Sequence, residues 1–195
     1  MNKNIEERKK SMRFFKQPIE VSVGHDVLER AKSFSEKVAP TVGTRGVYMD
    51  TNQSDLRKIR HDHYVSKVGE EAVKQILQQL GRTIEGPDYE IYQGKQKSWD
   101  PDLWVDGVDL AVKTQTRESA NKFGLSWTFQ ASRQRRDPIL DKPDAWVCFV
   151  KFDPQKQQCC VYPPCQIKEL EFGEPVLAKL KGTKKVVYAQ RLPGL

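Results

Sequence analysis

The dipeptide Asp106-Gly107, set between two runs that alternate apolar and polar residues, constrains this chain more than any other feature. Both residue types tolerate positive φ, which a two-residue turn between right-twisted strands requires. In WDPDLWVDGVDLAVKTQ, residues 99–115, such a turn fixes the register: Val105 faces Val108, Trp104 faces Asp109, Leu103 faces Leu110, Asp102 faces Ala111 and Asp100 faces Lys113. Because side chains alternate, Leu103, Val105, Val108, Leu110 and Val112 share one face. Asp100, Asp102, Trp104, Asp109, Ala111, Lys113 and Gln115 share the other. One face belongs to a core, and the other gathers ionisable groups.

The rest of the chain is read as an α/β domain with a mixed central sheet flanked by helices. At 195 residues it is long enough for one compact domain with a helical extension. Residues 1–50 are expected to form an N-terminal arm and helical extension, and residues 51–195 the α/β domain. Within the first part, residues 1–22 read as an arm, HDVLERAKSFSEKVA as an amphipathic helix stopped by Pro40, and VGTRGVYMDTNQ as a loop with a short strand. SDLRKIRHDHYVSKVGEEAVKQILQQLG reads as one long helix, or two joined near Gly69, capped by Ser54 and ended by Gly81. On it Ala72, Val73, Ile76, Leu77 and Leu80 form the buried stripe, with Glu70 at its edge and Glu71 toward solvent. YEIYQG is expected as a strand, and RESANKFGLSWTFQASRQRR as helical in its second half. DAWVCFVKF has the near-continuous apolar character of a strand covered on both faces, while CCVYPPCQI and VVYAQRL supply two more strands.

Lys and Arg number 33 against 26 Asp and Glu, a net charge of +7, which favours a polyanionic partner. No run approaches the roughly 18 apolar residues of a membrane span, and the N-terminus lacks a signal-peptide core, so a cytoplasmic protein without membrane contact is expected. Cys148, Cys159, Cys160 and Cys165 lack paired C-x-x-C spacing and read as reduced, partly buried thiols. His61 and His63 fall on different faces of their helix and read as ordinary surface residues. No phosphate-cradling or dinucleotide glycine motif and no G-x-S-x-G is present.

Paired carboxylates about 5 Å apart across two strands can hold magnesium while leaving positions for water and phosphate oxygen. A nearby lysine can then orient or deprotonate the attacking water. Pro101-Asp102 followed by Lys113 resembles the PD-(D/E)xK nuclease superfamily, whose pattern places a second acid at position 111, where this chain has Ala111. Gly69-Glu70 is similar to the Gly-Glu helix start that often precedes the hairpin in that group. The resemblance spans roughly residues 65–155 and implies a restriction-endonuclease-like core. It further implies a magnesium-dependent DNA endonuclease, manganese substituting, in which Asp102 and the residue at 111 hold the metal, Lys113 serves the water and Glu70 supports them.

Three accounts of Ala111 stand open: an acid deliberately replaced, a ligand role taken over by Asp109 with Asp100 in reserve, or natural loss of cleavage with binding retained. Arg133, Arg135, Arg136 and Gln130, with Arg57 and Arg60 on the long helix, are expected to contact nucleic acid, and Ser126 and Gln130 to approach Lys113. Double-stranded or branched DNA and a homodimer follow from the resemblance. A hairpin whose polar face is merely solvated, a non-catalytic nucleic-acid binder on the same fold, and a protein-interaction module remain alternatives.

Overall fold

The computed structural model describes residues 13–41, 55–91, 101–134 and 136–194. Ser54, Asp100, Arg135 and the expected short strand after residue 41 lie outside the described residues. Strand β1 (Ile19–Ser22) leads into helix α1 (His25–Val38) and then the 24-residue helix α2 (Leu56–Gln79). Strands β2 (Ile84–Glu85), β3 (Leu103–Val105) and β4 (Val108–Thr116) follow, then the short helix α3 (Arg117–Phe123) and β5 (Ser126–Gln130). The chain closes with β6 (Trp146–Asp153), β7 (Gln158–Val161), β8 (Cys165–Gln166) and β9 (Lys184–Tyr188).

Seven strands form a mixed sheet in the order β1-β7-β6-β4-β3-β2, with β8 also paired to β6, while β5 and β9 form a separate antiparallel ribbon. The central β4–β6 pair is parallel, so the chain must cross over between them, and α3 and β5 occupy that crossover. The β3–β4 hairpin has the expected register, Leu103 with Leu110, Trp104 with Asp109 and Val105 with Val108. Its turn residues Asp106 and Gly107 take φ of 51° and 80°, and the Asp106 carboxylate accepts the Thr83 N–H at 3.0 Å, tying the turn to the start of β2.

Strand β6 is buried on both sides. Trp146, Cys148, Val150 and Phe152 join a core shared with Val65, Val68, Val73, Ile76 and Leu77 of α2 and with the hairpin residues Leu103, Val105, Leu110 and Val112. Val147 and Phe149 join a second core with Trp127, Phe129, Tyr162 and Val187. The sheet therefore has α1 and α2 on one face and the β5–β9 ribbon on the other. Among the described residues no helix is long and apolar enough to cross a membrane.

Several elements differ from expectation for local reasons. Ile19–Ser22 is not an arm but a strand paired to β7, and Val21 and Val23 enter the first core. The long helix is continuous through Gly69, is capped by Asp55, whose carboxylate accepts the N–H groups of Arg57 and Lys58, and stops before Gly81 at φ 73°. Tyr89–Ile91 is not a strand; the hairpin's neighbour is β2 instead. After the hairpin the helix occupies the first half of the segment, where Thr116 Oγ1 caps Ser119 N–H, and Gly124 at φ 80° ends it. The second half, SWTFQ, is a strand because Trp127 and Phe129 alternate into the second core.

Glu71 is buried, held by Arg30 and by the Tyr89 hydroxyl, which donates to it at 3.1 Å. Leu80, expected in the stripe, is exposed. All four cysteines are free thiols, and burial pushes Cys159 up to about 12.

Candidate functional site

The hairpin ladder stops at Leu103 because the same register would set Pro101, which has no N–H, against Val112. The Val112 N–H is taken instead by Asp102 Oδ2 at 2.7 Å. Asp102 is thus fixed at the point where β3 and β4 part, rather than paired flat across from Ala111. The proline and the acid serve one local purpose, ending a strand while satisfying its neighbour.

Glu70 approaches from α2. It is 2% exposed and accepts hydrogen bonds from Lys67 Nζ at 2.6 Å and Ser66 Oγ at 3.0 Å. Burial first, and the neighbouring Asp102 charge second, push its carboxyl up to about 7 despite the lysine. The helix can come this close because Gly69 has no side chain. A Cβ there would overlap Thr114 Oγ1, and that oxygen is buried without a hydrogen-bond partner among the described residues.

Lys113 stands on the opposite face of β4 from Thr114. Its ammonium donates to Asp137 Oδ2 at 3.0 Å and lies 4.9 Å from the centre of the Phe129 ring. Asp137 also accepts the Gln130 N–H at 3.2 Å, so the β5 end and the lysine share one carboxylate. Gln115, next on that face, accepts the Ser126 N–H at 2.9 Å and donates to Gly124 O and Ser119 Oγ, fastening β5 to β4.

Glu70, Asp102 and Lys113 line one cleft of about 1240 Å³ together with Gln130, Ser126 and Asp137. That volume exceeds the roughly 300–1,000 Å³ of ordinary small-molecule pockets. Alternation on the ribbon turns Ser126, Thr128 and Gln130 of β5 and Lys184, Val186 and Tyr188 of β9 to this cleft. Lys58, His61 and Asp62 of α2 line it as well, and Lys179 comes from the segment before β9.

The remaining expected residues lie elsewhere. Ala111 shares a strand face with Lys113 but packs against the second core, and Asp109 is exposed beyond it; neither lines the cleft. Arg57 and Arg60 are exposed on α2, and Lys58 is the residue between them that lines the cleft. Arg133 is exposed in the bend after β5, and Arg136 is bound to Asp141 through Nε at 2.9 and 3.0 Å. Gln130 and Ser126 lie on a strand rather than a helix; the Gln130 N–H shares Asp137 with Lys113, whereas the Ser126 N–H is bound to Gln115.

Sequence reading missed Asp137 and the specific place of Lys184. Asp137 precedes Pro138, where an acid reads as turn chemistry, and Lys184 is one of four lysines in a short basic tract. Period-two alternation across KKVVY would have singled out Lys184 with Val186.

Among the described residues no group of three or more His, Cys, Asp or Glu side chains is arranged to hold a metal ion. Asp102 and Glu70 nevertheless offer the right kind of donor. Magnesium is commonly bound through one or two carboxylates and keeps water and phosphate oxygens for the rest; beyond the effect of burial, the part of the Glu70 rise that comes from the Asp102 charge is what a cation between two acids would relieve. Comparison with protein-family models, curated proteins and solved structures finds no match to this chain.

Proposed function

We propose that this chain has a restriction-endonuclease-like core and acts on the phosphodiester backbone of DNA with magnesium as cofactor. The observation that carries the reading is that Asp102, Glu70 and Lys113, from separate parts of the chain, line one large cleft together with further lysines. Asp102 and Glu70 would hold the metal, which when bound supplies charge neutralisation for a phosphate and an acidified water. Lys113, kept in place by Asp137, would orient the water or stabilise charge on the phosphate. Homodimerisation belongs to the same proposal, since one such site addresses one phosphodiester at a time.

A second reading, a DNA-binding protein that does not cut, is favoured by Ala111, whose methyl group packs in the second core and brings no oxygen. The two separate in one experiment. The chain and its Ala111→Glu variant are incubated with duplex, branched and single-stranded DNA, with magnesium, with manganese and with chelator. Metal-dependent nicking by either form supports the nuclease. Chelator-insensitive binding without nicking by either form supports the binder. Sedimentation of the free chain and its complex tests the dimer.

A further inference from the structure

Three ammonium groups from distant parts of the sequence converge along the cleft. Lys58 sits in the first turn of α2, Lys113 in the middle of β4, and Lys184 at the start of β9. The links between them are short: Lys184 is the cross-strand partner of Gln130, whose N–H shares Asp137 with the Lys113 ammonium. Two acids, Asp62 and Asp137, act on Lys184 from nearby, and each is already bound to another lysine. Asp62 holds Lys58 at 3.0 and 3.1 Å, and Asp137 holds Lys113 at 3.0 Å. Lys184 is half-buried, and its pKa is lowered, first by burial and then by the Lys58 charge, with Lys113 adding to it. A lysine on a merely solvated face would extend into water and carry no such penalty.

We propose that Lys184, together with Lys58 and Lys113, forms a subsite for a phosphate group of a nucleic-acid backbone. Three point-like donors on rigid elements suit the several oxygens of a phosphate approached from different sides. The exposed Thr128 and the Gln130 side of β5 leave room along the same wall for the chain that carries it. The polymer identity rests on the function proposed above, whereas the anion seat stands on the lysines alone.

The test is binding without cleavage. A labelled duplex oligonucleotide is titrated in chelator across a series of salt concentrations with the unmodified chain, Lys184→Gln, Lys184→Arg and Lys181→Gln. Lys181 is an exposed lysine outside the cleft that controls for net charge. The expected result is an affinity about 5- to 10-fold lower for Lys184→Gln at low salt, with a log–log salt slope reduced by about one, and near-normal values for Lys184→Arg and Lys181→Gln. Lysine-resolved NMR of the unmodified chain should show the Lys184 signal moving on addition of inorganic pyrophosphate, which keeps the proposal testable if the variant folds poorly. Equal effects of the Lys184 and Lys181 substitutions, an unmoved Lys184 signal, or equal displacement of the oligonucleotide by polyglutamate would overturn it. Cleavage by Ala111→Glu with unaltered affinity in Lys184→Gln defeats this inference alone; the expected binding pattern without cleavage by any form defeats the nuclease reading alone.

Discussion

Glu70 is the residue whose chemistry departs furthest from its type. Its carboxyl, ordinarily near 4.5, is raised to about 7 by burial and by Asp102, so the folded chain holds a proton that the unfolded chain releases. The sign follows from linkage: stability from this group is complete below about 4.5 and is lost as pH rises through 7, a change of roughly 3 kcal/mol at most. Urea unfolding at a series of pH values should show that fall, and Glu70→Gln, which cannot ionise, should flatten it. A pH profile equally steep in the variant would assign the slope to other groups. The helical wheel legibly placed Glu70 at the edge of the buried stripe. It misplaced Glu71, because Arg30 of α1 and Tyr89, distant in sequence, cover the side a lone helix would show to water. Partner elements, invisible to periodicity, decide such positions.

At the scale of elements, the junction of α2 and β4 sets how far Glu70 reaches toward Asp102. Gly69→Ala would drive a methyl group into Thr114 and force the helix away from the strand. The expected cost is about 1–3 kcal/mol in urea unfolding, the range for overpacking a tight core. Gly69→Ala with Thr114→Ala should recover only part of it, because the Thr114 Cβ itself lies 2.9 Å from the added carbon. Full recovery in the double variant would locate the strain at the hydroxyl alone.

The hairpin was the most legible element, since turn chemistry and alternation agree on one register and no distant partner is needed to set it. β5 was the least legible: a polar helix-forming run precedes it, and the two aromatics that make it a strand acquire meaning only opposite β6 and β9. The acid on Lys113 was hidden for the same reason, arriving through a turn 24 residues later.

Across the whole molecule, the N-terminal strand does more than decorate an edge. β1 covers β7 and contributes Val21, followed by Val23, to the core that supports α2. Starting the chain at residue 24 removes two buried valines, about 3–6 kcal/mol of apolar burial, from a fold whose net stability is of order 5–15 kcal/mol. It also bares a hydrogen-bonding edge. Thermal melting should fall steeply and light scattering rise on concentration.

The glycine notch has one more consequence. β4 carries Lys113 and Gln115 on either side of Thr114, and side chains alternate between faces, so a strand that paired one residue out of step would present a long polar chain to the space beside Gly69. That space accommodates a threonine and little more. The helix therefore acts as a gauge on the strand, admitting the one alignment in which the lysine faces the cleft, and a chain that passes this check has assembled its candidate site in the same step.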